Sequence, residues 1–200
     1  MIDMNNVLKL FTFLLAIAVS QLLYAGSHGG KPREGMTLDN SLSSLNFVSV
    51  KKGSVGEVHT IDKLSGSLSD DGNLVVKLDL SSVNTGIDIR NERMLEHLFE
   101  TKNNPIATIS AKISGGRSAN EISTITGTLS LDLHGIKKDI EFNVVAVKSG
   151  DNLVVSSAKP IIIQASDFGL VAGIQKLQEL AKLPSIATAV PVNFVLVFKK

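Results

Sequence analysis

The sequence predicts an all-β fold, an antiparallel meander of about eight or nine strands that closes into a barrel or splits into a two-sheet sandwich. Three observations lead there. Segment after segment alternates apolar and polar residues with a period of two, most strictly Leu74, Val76, Leu78 and Leu80 against Val75, Lys77 and Asp79. That spacing marks a strand with one buried and one wet face. Turn signals built from Gly, Asp and Asn separate the segments at roughly even intervals, and only two stretches switch to helical spacing.

The N-terminus does not belong to this pattern. Lys9 precedes an apolar run from Leu10 to Val19, Leu22 and Leu23 follow, and Ala25-Gly26-Ser27 supplies small residues. A short positive region, an apolar region and a small-residue exit describe a secretory signal peptide, with cleavage expected after Ala25. An uncleaved anchor is the alternative, but a spanning helix needs about 20 apolar residues, and Thr12, Ser20 and Gln21 interrupt this run. Residues 26–35 are Gly-rich and polar and read as a flexible leader. The domain is expected over 36–200, large enough for one sizeable core, and the protein is expected in the periplasm.

Composition narrows the chemistry. Net charge is +1, so nothing electrostatic favours nucleic acid or an anionic membrane surface. There is no Cys, which removes a thiol nucleophile, Cys-ligated zinc and iron–sulfur clusters, and leaves the core rather than disulfides to stabilise the fold. Trp is absent and aromatics are 4% of residues, so the interior must be lined mainly by Leu, Ile, Val and Ala.

Taken in order, extended structure starts at Met36, passes Leu45 and Phe47, and turns at Lys51-Lys52-Gly53. Val55 to Leu64 continues it, and Ser65 to Ser69 ends at Asp70-Asp71-Gly72-Asn73, residues that tolerate the positive φ of a hairpin. After the Leu74–Leu80 strand, Ser82 to Pro105 breaks the alternation. Thr85-Gly86 forms a turn, Asp88, Arg90, Glu92 and Arg93 crowd charge together, and Met94, Leu95, Leu98 and Phe99 follow at helical spacing until Pro105. Strands resume at Ile106–Ile113, turn at Gly115-Gly116, and run through Ile125–Leu133. His134 to Lys138 is a tight connection, Ile140, Phe142, Val144 and Ala146 alternate again, and Gly150-Asp151-Asn152 turns into Leu153–Ile163. Ser166 to Leu170 is a loop, and Ile174, Leu177, Leu180 and Ala181 mark a second helix that Pro184 ends. Val190, Val192, Phe194, Leu196 and Phe198 form the last strand, in which Pro191 predicts an edge position or a bulge. The wet faces carry Lys, Asp, Glu, Ser and Thr, unlike the lipid-facing bands of an outer-membrane barrel.

Four stretches together resemble the YceI-like family of exported, polyisoprenoid-binding, lipocalin-like proteins. They are Thr37-Leu38-Asp39; Ser82 to Gly86 with Arg90-Asn91-Glu92 and Pro105; Ile125 to Leu131 with His134 to Lys138; and Ser166 to Leu170. The family usually has Trp where Leu38 stands, Arg-Asp at Arg90-Asn91, and often Arg where Ala165 stands. The resemblance implies an antiparallel eight-stranded lipocalin-like barrel, with short helices at about 88–100 and 173–183 at its ends. It implies a binding protein that carries, stores or sequesters a polyisoprenoid or another long-chain amphipathic lipid, with no catalysis and no cofactor. A homodimer is left open.

An apolar lining for such a ligand is expected from Leu74, Val76, Leu78 and Leu80, from Leu129, Leu131 and Leu133, from Phe142 and Val144, and from Val192, Phe194 and Leu196. The competing reading is that the same residues fill a packed core. The protein would then be an extracytoplasmic stress or interaction protein, with a partner surface near the 174–183 helix. Arg90 and Arg93 are candidates to orient a head group, although pairing with Asp88, Glu92 or Glu96 is the more economical expectation. His59 and His97 stand isolated, His134 sits in a turn, and no His spacing suits a metal. No nucleophile elbow accompanies the Ser, His and Asp residues.

Overall fold

A computed structural model describes residues 35–113 and 121–200. The expected signal peptide, His28, nearly all of the leader and the Gly115-Gly116 turn lie outside the described residues. Twelve strand segments follow one another: β1 (Met36–Leu38), β2 (Ser44–Lys51), β3 (Val55–Ile61), β4 (Leu64–Leu68), β5 (Asn73–Asp79), β6 (Val83–Asn84), β7 (Ile106–Lys112), β8 (Glu121–Leu133), β9 (Ile136–Ser149), β10 (Asn152–Ser157), β11 (Ile161–Gln164) and β12 (Ala189–Lys199).

These segments make eight barrel staves, because four staves are each broken once. β2 and β1 both pair with β12 on one side, β3 and β4 pair with them in turn, β5 and β6 flank β4 and β3, and β10 and β11 share the other side of β12. β7, β8 and β9 complete the ring. Every pairing is antiparallel, and the ring closes through Leu38↔Phe198. A closed barrel, rather than a sandwich, removes the exposed edges that an open sheet would leave. Two of the breaks use the same device. Asp39 caps a one-turn 3₁₀ helix by accepting from the Ser41 N–H at 2.9 Å, and Asp79 does so with Ser81 at 3.0 Å.

The sequence joins Leu153 to Ile163 in one strand, whereas the structure divides it between β10 and β11. Pro191 is a bulge feature and not an edge. Phe47 pairs with Val192 and Lys51 bridges Ile186, so four steps along β2 oppose six along the other strand. Pro191 has no N–H to offer where that register slips.

The first helix, α1 (Asp88–Arg93), widens into a π-helical turn over Met94–Leu98, where the Phe99 N–H donates to the Met94 carbonyl at 2.9 Å. The second, α2 (Val171–Leu180), begins and ends slightly earlier than its apolar spacing suggests. The two segments touch closely at Gly173, where a Cβ would lie 2.5 Å from the His97 carbonyl oxygen. Among the described residues no helix is long and apolar enough to cross a membrane. Phe198, Met36, Val76 and Phe168 are the most deeply buried large side chains.

Candidate ligand-binding cavity

The inward positions of the staves do not fill the barrel. A cavity of about 160 Å³ lies beneath the helices, lined among others by Leu78, Leu80, Leu131, Leu133, Leu98 and Phe99. A second cavity of about 100 Å³ lies deeper, lined among others by Leu74, Val76, Phe142, Val144, Leu196 and Phe198. Leu45, Ile109, Leu129 and Phe194 line both and form a waist between them. Among the described residues, every one that lines either cavity is aliphatic or Phe. Apolar spaces of this size stay dry; an engineered one of about 150 Å³ in another protein takes up benzene. The Phe142 ring packs across Gly127, its partner across β8 and β9, where a Cβ would sit 3.1 Å from the ring.

A third cavity, of about 330 Å³, opens under α1 and α2 and is chemically different. It shares Phe47, Leu98, Ile174 and Val190 with the first, so those four residues separate an apolar chamber from a mixed vestibule. The polarity gradient runs along two paired strands. Inward residues of β2 read Leu45, Phe47, Ser49, Lys51 from depth to mouth, and those of β3 read Ile61, His59, Glu57.

The vestibule's charges are tied together. Glu57 Oε2 receives Lys51 Nζ at 2.7 Å and Arg90 Nη1 at 2.8 Å. The hydrogen bond from Lys51 is the largest influence holding the Glu57 carboxyl below its usual range, with Arg90 adding to it against the opposing effect of burial. Arg90 Nη2 donates to the Thr85 carbonyl at 2.7 Å. Asn91 Oδ1 in turn accepts from the Thr85 N–H at 2.9 Å and its hydroxyl at 2.6 Å. Arg90-Asn91 therefore clamps the Thr85-Gly86 turn, an acceptor's task that the Asp usual in the family would also perform. Arg93 Nη1 reaches the Leu180 carbonyl at 3.4 Å, at the C-terminal end of α2, where helix carbonyls favour a cation.

All twelve apolar positions named from the sequence (Leu74, Val76, Leu78, Leu80, Leu129, Leu131, Leu133, Phe142, Val144, Val192, Phe194 and Leu196) face one or both apolar cavities. Arg90 and Arg93 line the vestibule instead. The expected pairing of Arg90 with Asp88, Glu92 or Glu96 is corrected: its partner is Glu57, 33 positions away on β3. His59, isolated in the sequence, is buried at 3% exposure with its ring edge-on to Phe47 at 5.4 Å. Burial first, and then the positive charge of Arg90, lower its pKa below the usual 6.5. Its only signal in the sequence is its place between Glu57 and Ile61 on one strand face. Among the described residues no group of three or more His, Asp or Glu side chains is arranged to hold a metal.

A closed antiparallel barrel with an aliphatic interior and a charged mouth defines a class of barrels suited to holding an amphipathic molecule by its tail. Within that class, the chain belongs to the YceI-like domain family, whose model matches residues 36–198. It is similar to a polyisoprenoid-binding domain from Saccharophagus degradans, implicated in plant cell wall breakdown. The two are 40% identical, over 82% of this chain and 97% of that one, with a TM-score of 0.79. BcnA of Burkholderia cenocepacia shares the fold at 20% identity, over 80% of this chain and 98% of that one, with a TM-score of 0.64. So does the YceI protein of Campylobacter jejuni, at 18% identity, over 71% of this chain and 84% of that one, with a TM-score of 0.54. Comparison with curated proteins gave no match.

Proposed function

We propose that this protein is an exported carrier that holds a polyisoprenoid or another long-chain amphipathic lipid in the barrel and transports, stores or sequesters it in the periplasm. The observation that carries this reading is the series of spaces: two wholly apolar cavities that share four lining residues, and a charged vestibule under the helices. A flexible hydrocarbon tail suits aliphatic walls, because each CH₂ taken from water contributes roughly 0.8 kcal/mol without a directional demand. The 40% identical polyisoprenoid-binding domain supports the same ligand class. The described residues that line the two apolar cavities are all aliphatic or Phe, which favours binding over catalysis there. Arg90 and Arg93 stand where a head group would emerge.

The full chain, expressed with its leader and recovered from the periplasm, tests the reading by native mass spectrometry and organic extraction. The expected result is a mature chain lacking residues 1–25 with a stoichiometric long-chain lipid. A chain that remains in the cytoplasm overturns export, and a chain that yields no lipid and takes up none overturns the carrier role.

A further inference from the structure

We infer that His59 and Arg90 form a head-group site for an anionic oxyacid, a carboxylate or a phosphate ester, carried at the end of the apolar chain. The inference rests on the carrier reading above and adds the chemistry of the ligand's polar end.

Two buried polar atoms at the vestibule lack a hydrogen bond of good geometry: Nε of Arg90 and Nδ1 of His59, whose imidazole is engaged only weakly by the Val58 backbone. Native proteins rarely leave such atoms unpaired, and each invites a ligand or a water. Arg90 is fixed by its other two nitrogens, one on Glu57 and one on the Thr85 carbonyl, so Nε is its one nitrogen left without a partner. His59 sits at the boundary of the polarity gradient. On one side of it along β3 is Ile61, which lines the first apolar cavity, and on the other is Glu57 at the mouth. A chain threaded into the barrel would leave its terminal oxygens at that boundary.

The charges favour an anion. Lys51, Arg90 and Arg93 line the vestibule against one carboxylate, Glu57, whose Oε2 is already shared by two of the three cations. The residues contributed by α2 and by the 183–190 segment are all uncharged. Burial keeps the imidazole neutral, and in its Nδ1–H tautomer it donates to an oxyanion alongside the Arg90 Nε–H. Both orphan atoms are then satisfied by one head group. A bound anion also favours the imidazolium, so the His59 titration midpoint rises on binding.

The experiment uses the delipidated chain and three probes with one tail: farnesol, farnesoate and farnesyl monophosphate. Competition is read by native mass spectrometry at pH 7.5 in wild type and His59→Phe. The expected result is that at least one anion binds ten or more times tighter than farnesol to wild type, and that His59→Phe reduces this preference to threefold or less while farnesol binding is retained. The anion that gains shows whether carboxylate or phosphate is the favoured source. Should His59→Phe not fold, ¹⁵N NMR of the wild-type imidazole replaces it: farnesoate raises the His59 titration midpoint and farnesol leaves it in place. Equal binding of farnesol and both anions, a preference that survives His59→Phe, or a midpoint indifferent to the anion overturns the inference and leaves the carrier reading standing. Failure of all three probes to bind overturns both.

Discussion

The two ends of the barrel are built differently. At the base, Met36 and Phe198 are each only 1% exposed, β1 bridges β4 and β12, and Lys199 Nζ meets Asp39 Oδ2 at 2.5 Å outside the closure. At the mouth, α1, the π turn and α2 cover the opening but leave a 330 Å³ vestibule with charged walls and unpaired buried atoms. Ile87 and Ile89 on its rim are about half exposed. One end is packed for stability, and the other retains space and polarity at some cost in stability. On the carrier reading, the difference gives the barrel a direction, with the tail toward Phe198 and the head toward His59.

The largest effect should come from the base. Phe198→Ala should lower unfolding free energy by about 3–5 kcal/mol, as large-to-small core changes do, measured by chemical denaturation. A loss below about 1 kcal/mol would mean that the base is loosely packed and that the two ends do not differ. At the mouth, Asn91→Ala strips the buried Thr85 N–H of its acceptor and should cost about 1–3 kcal/mol, whereas Asn91→Asp, which keeps an acceptor, should cost much less. Equal losses for the two variants would show that the clamp is not a hydrogen-bonding device. Gly173→Ala pushes a methyl group at the His97 carbonyl and should also cost about 1–3 kcal/mol by overpacking. Its further sign is a change in lipid retention, measured by extraction from equal amounts of protein.

The smallest effect concerns pH at the base. The hydrogen bond from Lys199, followed by that from Ser41, lowers the Asp39 pKa from 3.8 to about 2. A carboxylate with a depressed folded-state pKa adds stability above its unfolded value and loses it as pH falls through the folded one. The contribution should thus be intact above about pH 4 and fade toward pH 2, a window set by the pKa values of Asp39 itself. Asp39→Asn should flatten that part of the acid limb in melting-temperature measurements. An unchanged acid limb would show that the exposed pair contributes nothing, as many surface pairs do.

These contrasts also explain what the sequence could show. Strand alternation is local, so Leu74, Val76, Leu78 and Leu80 report their face directly, and the twelve lining positions were legible. Pro191 announced a disturbance, and its form, a register slip against β2, depends on a strand more than a hundred positions away. The helical spacing of Met94, Leu95, Leu98 and Phe99 is visible, but the π turn, which packs closely against Gly173 of α2, is not. Arg90 has acids beside it in sequence and pairs with a distant one, because the barrel brings β3 under α1. The charged Ser82–Pro105 stretch is chiefly a clamp and a cover. His59 carried no recognisable motif, and its burial against Phe47 beneath the helices depends on closure.

The most direct test of the central claim is an electron-density map of the protein purified with its natural ligand retained. A hydrocarbon chain should run from the vestibule, past the waist at Leu129 and Phe194, toward Phe198, with its head beside His59 and Arg90. A waist closed by repacked side chains, with no density on either side and no extractable lipid, would contradict it.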